Sequence, residues 1–349
     1  MTSHAAVRGY LLLLLLGCLD LGYFDHIHTA RFVYEDASWL GSGPTLTLTR
    51  SLTRLVWDWF HTPPRAHAFS LAVHILNAVL LGALVYRLGL SELGAWIVAG
   101  ILLLHPLNTE AVAYAAQHGE LIAATGVLMA CLFTTGDDLE HGWTWIAIGF
   151  SIALGLSGKE SAVVGFLLVP LVAWYRTGRL TVALGSLLLL SAVVVSKGPL
   201  AILHSGWEGH VQTTWHAWLT VQSAASLRLV LLAFGLGTSS PDFDYHEASA
   251  WAICLFPVLL AAAVTALRWR PLSGFGLLWT VLALLPRLLV QIPKSPLAEH
   301  QFYVPCMGLI LAVVALTERA PRLLPHERLT ADEAILRLRR AVLADGLAG

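Results

Sequence analysis

The stretch "HPLNTEAVAYAAQHGE", residues 105–120, sits between two long apolar runs and gathers His105, Asn108, Glu110, His118 and Glu120 within sixteen positions. His105 follows a long apolar run and precedes Pro106, and "LIAATGVLMACLF" (121–133) belongs to the next apolar run, so these polar residues fall in and between two candidate membrane helices.

The rest of the chain repeats this pattern. Apolar segments lie at 9–24, 67–87, 93–114, 119–135, 143–157, 161–175, 180–197, 221–237, 249–267, 272–290 and 302–317, and a span needs about 20 residues. Only 12% of the 349 residues are charged, against roughly 25% in a soluble domain, and the mean hydropathy is +0.71. The expectation is an all-α polytopic membrane protein with about 10–11 transmembrane helices. Residues 1–320 would form the membrane domain and 321–349 a short amphipathic tail opened by the cap "TADE". The run at 9–24 is read as an uncleaved first span. Within "TLTRSLTRLVWDWF" (47–60), Leu48, Leu52, Leu55, Val56, Trp59 and Phe60 fall near one helical face with Arg50 and Arg54 away from it, which suggests a helix lying on the outer membrane surface.

Orientation comes from basic residues in short connections. Arg8, Arg87, Arg176/Arg179, Arg268/Arg270 and Arg319/Arg322 all face the cytoplasm if the N-terminus does and if 221–237 fails to cross. Arg31, Arg50, Arg54 and Arg65 then lie outside, against the rule, where they would suit an anionic ligand. A formal net charge of −1 and the lack of a basic arm exclude nucleic acid as a partner. Cys18, Cys131, Cys254 and Cys306 sit in or beside apolar runs without C-x-x-C spacing and read as small core residues. The fifteen histidines contain no H-x-x-x-H or H-E-x-x-H pair, so no metal and no cofactor is expected.

With this topology every polar cluster sorts to the outer face. These are Glu35/Asp36 in "FVYEDASWL", residues 105–120, Lys159/Glu160 in "LSGKES", Asp242 in "SPDFDY" and the segment "PKSPLAEHQFY" with Lys294, Glu299, His300 and Tyr303. Ionisable groups at membrane depth are costly and mark functional candidates. Glu35 and Asp36 are sequence neighbours whose side chains diverge, so one would act as base and the other support it; a solvated loop pair is the plain alternative. Lys159 with Glu160 reads either as a structural ion pair or as a phosphate contact. His74 and Asn77 share a helical face at i, i+3, and each could equally be a satisfied polar residue between helices.

In this order, "FVYEDASWL", "HILNAVLLGALV", "LHPLNTEAVAYAAQHGELIAATG", "LSGKESAVVGFLLVPLV", "RLVLLAFGLGTSSPDFDY" and "PLAEHQFYVPCMGL" resemble the membrane region of the transmembrane and tetratricopeptide-repeat O-mannosyltransferases and their bacterial relatives, within the GT-C glycosyltransferase superfamily. The resemblance covers roughly residues 20–317. It implies a hexosyltransferase that moves a sugar, mannose being the one suggested, from a polyprenyl-phosphate donor to a hydroxyl of a protein or glycan acceptor on the extracytoplasmic side. A bacterial plasma membrane is expected rather than the endoplasmic reticulum.

Glu35 or Asp36 would be the general base, Glu35 slightly favoured. Lys159, Arg287, Lys294 and His300 would meet the donor phosphate. His74, Asn77, His105, Asn108, Glu110, His118, Glu120, Glu160, Asp242, Glu299 and Tyr303 would line the site. The chain departs from the family pattern where an arginine is replaced by His118 and another by His300, and no tetratricopeptide repeats follow. Two readings of other classes stay open: a transporter or flippase of a lipid-linked substrate, and a non-catalytic relative serving as a partner subunit.

Overall fold

The computed structural model describes residues 51–60, 62–136, 142–178, 215–237, 250–289 and 298–318. All regular structure among them is helical. The first helix, α1 (Ser51–Trp59), packs through Thr53, Val56 and Trp57, positions i, i+3 and i+4, and Thr53 Oγ1 fixes that face by donating to Gly158 O at 2.6 Å. Leu55 and Trp59 are 53% and 71% exposed. The helix is therefore present as expected; of its expected apolar face, Leu55 and Trp59 are exposed and Val56 is buried.

A proline pair opens α2 (Pro63–Arg87), since a missing N–H costs nothing in a first turn. Its buried side changes character along the axis: His67, Ser70, His74 and Asn77 recur at helical spacing, then Leu81, Leu84 and Val85 continue the same side. Helix α3 (Glu92–Leu104) is capped by Ser91, whose Oγ accepts from Gly94 N at 3.0 Å. It ends at His105, held extended before Pro106, and the chain bends by 53° into the turn Pro106–Asn108 and α4 (Thr109–Ala113). The turn Ala115–Gln117 leads into α5 (His118–Thr134).

Helix α6 (Gly142–Gly158) lies directly on α5. A Cβ at Gly126 would come within 2.5 Å of Gly155 N and Ser151 O, so hydrogen there permits the backbone approach that membrane helices use in place of a hydrophobic drive. After the turn Glu160–Val164 comes α7 (Gly165–Thr177), closed by Gly178 in the left-handed region at φ 64°. The last described elements are α8 (Trp215–Leu232), the turn Ala250–Cys254, α9 (Leu255–Trp269), α10 (Pro271–Leu289), the turn Glu299–Phe302 and α11 (Tyr303–Thr317). Helices α10 and α11 run antiparallel, as Ser273 Oγ donates to Ala312 O at 2.9 Å and Trp279 Nε1 to Val304 O at 3.0 Å.

Among the described residues, five helices are long and apolar enough to cross a membrane: 63–87, 115–134, 252–269, 271–288 and 299–317; the bent pair 92–104 and 106–113 offers a sixth. The described residues are thus all-helical, with the makings of a multi-pass membrane protein. The span 115–134 is 83% buried within the protein and 299–317 is 78%, whereas 252–269 is 17%. The first two are the centre of the bundle and α9 its outer edge. Of the other apolar runs, α6 is shorter at 17 residues, and 9–24 and 180–197 lie outside the described residues, as do the tail 321–349 and its cap. Cys131 and Cys306 are buried as expected, but Cys254 is exposed on the turn before α9, which corrects its reading as a core residue.

Candidate functional site

The bundle has two unlike ends. At one, α2 ends, α3 and α10 begin and α11 closes, bringing together Arg87, Ser91, Arg176, Arg270 and Glu318. At the other lie the bend after α3, the start of α5, the α6–α7 turn and the start of α11. Helix α8 touches this second end twice. Trp218 Nε1 donates to Leu288 O at 3.2 Å, and His105 Nε2 donates to Ala233 O at 3.2 Å.

Lys159 sits in the second end because α6 stops at Gly158 and the next residue is extended (φ −158°, ψ 152°). That geometry sends the lysine back across α5. Its Nζ lies 2.9 Å from Glu120 Oε1 and donates to Gln117 Oε1 at 2.8 Å, while Ser161 Oγ donates to Glu120 Oε2 at 2.5 Å. The expected pairing of Lys159 with Glu160 is corrected here. Successive side chains at an extended residue point apart, and the partner is Glu120 on another helix. The Lys159 and Glu120 side chains are 15% and 4% exposed, so both charges have left water and hold only because they are paired.

A second ionic contact adjoins the first. Glu110, on α4, accepts His300 N through Oε2 at 2.9 Å and meets His300 Nδ1 through Oε1 at 2.8 Å. Lys159 and Glu120 lie within electrostatic range of His300, as does Lys159 of Glu110. Arg287, near the end of α10, faces Glu120 and Glu160. It is partly buried and makes no hydrogen bond or ion pair among the described residues. Glu110, Glu120, Lys159, Glu160, Arg287 and His300 therefore form one electrostatic cluster drawn from five segments.

Other expected lining residues hold helices together. Tyr303 OH donates to His74 Nδ1 at 2.7 Å, His74 Nε2 donates to Leu103 O at 3.3 Å, Asn77 Nδ2 donates to Leu121 O at 3.0 Å and Thr125 Oγ1 to Asn77 Oδ1 at 2.7 Å. This network joins α2, α3, α5 and α11, and His74, Asn77 and Tyr303 are at most 1% exposed. They are polar residues satisfied between helices, the plainer of the two readings the spacing allowed. His118 is likewise enclosed, donating through Nε2 to Ala66 O at 3.1 Å and packed against the rings of Trp57 and Phe69. Asn108 Nδ2 donates to Leu102 O at 2.6 Å, which ties the bend to the helix it leaves. Glu299 is partly buried beside His300.

Glu35, Asp36, Asp242 and Lys294 lie outside the described residues. Gln117, Ser161 and Thr125 were not singled out from sequence, although the first two stand inside the quoted "AQHGE" and "GKES". No group of three or more metal-ligating side chains occurs among the described residues. Two surface grooves, of about 480 Å³ along Leu93 to Pro106 and about 530 Å³ along Pro257 to Trp269, follow the apolar outer sides of α3 and α9 and include no member of the ionic cluster. No family model, curated protein or solved structure matches the chain.

Proposed function

We propose that the protein is an integral membrane glycosyltransferase that moves a sugar, mannose by resemblance, from a polyprenyl-phosphate donor to an acceptor hydroxyl. The observation that carries this reading is the buried ionic cluster of Lys159, Glu120, Arg287, Glu110 and His300 at one end of an apolar bundle. Placing the Arg87, Arg176 and Arg270 end in the cytoplasm satisfies the positive-inside tendency and puts the cluster on the extracytoplasmic face. A bacterial plasma membrane is the proposed setting. Lys159, Glu120 and His300 sit in or beside turns between helices, and Glu110 sits on the short helix after the bend.

In such a reaction the bond between the anomeric carbon and the phosphate oxygen breaks, and the polyprenyl phosphate leaves with the electron pair. The protein must neutralise that phosphate and orient the acceptor. Lys159 already serves Glu120 and Gln117, so Arg287 is the described cation best able to grip a phosphate. The resemblance assigns the base to Glu35 or Asp36. To test the reading, the full chain is reconstituted in vesicles with labelled polyprenyl-phosphate mannose and an extract of extracytoplasmic proteins and glycans as the source of acceptor hydroxyls, and its release of polyprenyl phosphate is followed. Arg287→Ala is expected to lower the rate at least about tenfold; a wild type that releases none defeats the proposal.

A further inference from the structure

The Glu110–His300 contact has the geometry of an oriented imidazole. One carboxylate engages the backbone N–H and the ring Nδ1 of the same residue, at 2.9 and 2.8 Å, which fixes the plane and direction of the ring. A carboxylate only accepts, so the proton of the neutral ring sits on Nδ1 and the lone pair on Nε2. Nε2 makes no hydrogen bond among the described residues, and it is not one of the enclosed unpartnered atoms, as His118 Nδ1 is. Both halves of the contact are anchored independently. Asn108 fastens the bend that carries Glu110 to Leu102, and Tyr303, which follows the turn of His300, is fastened to His74. A carboxylate that sets a tautomer and leaves the other nitrogen open is the arrangement from which histidine acts as a base.

We propose that His300, oriented by Glu110, accepts the proton of the acceptor hydroxyl through Nε2. This rests on the transferase reading and differs from the assignment of the base to Glu35 or Asp36, which the resemblance alone implies. The hydroxyl proton passes to Nε2, and the oxygen's electron pair forms the new bond to the anomeric carbon. The carbon–phosphate oxygen bond breaks toward the departing polyprenyl phosphate, and the imidazolium returns its proton to water. The charged ring would face Glu110 on α4 and Glu120 on α5, with Lys159 from the α6–α7 turn opposing it. His300 is the catalytic residue of this scheme and Glu110 a positioning residue.

The first test needs no substrate. In the full chain in lipid nanodiscs, nitrogen-15 NMR of labelled histidine, with His300 assigned by the signal lost in His300→Gln, is expected to show the proton on Nδ1; a neutral ring protonated on Nε2 overturns the proposal. The second follows release of polyprenyl phosphate from polyprenyl-phosphate mannose against pH. The wild-type rate should rise with pH as the base loses its proton, and His300→Gln should lose that limb with about a hundredfold lower rate. Glu110→Gln, whose amide can donate to Nδ1, should reverse the tautomer and lower kcat at least about tenfold with KM little changed. An unchanged limb in His300→Gln, or full kcat in Glu110→Gln, overturns the role. A wild type without transfer defeats this role together with the transferase reading, and the tautomer signal tells that failure from a failure of the dyad itself.

Discussion

At the end of the bundle where α2 turns into α3, charged side chains bond to backbone and hydroxyl groups in the open; at the opposite end, opposite charges meet inside. Glu318 accepts from Ser91 N at 3.0 Å and from Ser91 Oγ, Arg270 Nη1 donates to Glu318 O at 2.9 Å, and Arg176 Nη1 donates to Arg87 O at 3.3 Å, all at exposed positions. Water could replace any of these, so each contributes little. Lys159 and Glu120 have no such alternative, because desolvation has already been imposed on both and only their mutual contact offsets it. A membrane protein can fasten loops with the first kind of contact. The second kind is a poor fastener, which is why the ionic end is read as a site.

The sharpest way to break the contrast is to remove one partner at each end. Glu120→Ala leaves the Lys159 ammonium buried and unpaired, and should lower unfolding stability in detergent by about 3–5 kcal/mol. Replacing both, as Glu120→Leu with Lys159→Met, should restore much of that loss. Recovery of stability without recovery of transfer would separate fastening from function. An intermediate effect is expected between the two ends, in the packing: Gly126→Val forces α5 off α6 and should cost about 1–3 kcal/mol, read as a lower thermal midpoint.

Tyr303→Phe removes the hydroxyl that reaches His74, and the loss should fall within about 0.6–1.7 kcal/mol, the range for hydrogen bonds between membrane helices. Glu318→Gln, at the open end, should cost less than about 1 kcal/mol. A Glu318 variant as damaging as Glu120→Ala would erase the contrast between the ends.

What the sequence discloses follows the range of the interaction. The halt of α3 at His105 and the bend after it are local, written by Pro106. The shared face of His74 and Asn77 is equally local, since three residues make most of a helical turn. Their partner Tyr303 comes from the far end of the chain, and no spacing announces it. Lys159 illustrates the same limit: "GKES" suggests its neighbour as partner, whereas the extended backbone at that residue delivers it to Glu120, 41 positions from Ser161 on the same cluster. Leu55, Val56 and Trp59 show a related limit: helical spacing groups them on one face, and which of them the protein buries depends on neighbours from other helices. In the sequence His300 is only one polar residue in "PLAEHQFY"; the open nitrogen of its ring follows from the geometry of Glu110.

The central claim, that the closed ionic end serves transfer from a lipid-phosphate sugar while the open arginine end does not, is tested most directly by following lipid-linked sugars in cells. Polyprenyl-phosphate-linked sugars and surface glycans are compared in cells with and without the gene and in cells carrying Arg287→Ala or Arg270→Ala at matched protein levels. Loss of the gene should raise the pool of lipid-linked sugar and remove a glycan, Arg270→Ala should restore both, and Arg287→Ala should not. An unchanged pool without the gene, or full restoration by Arg287→Ala, would contradict the account.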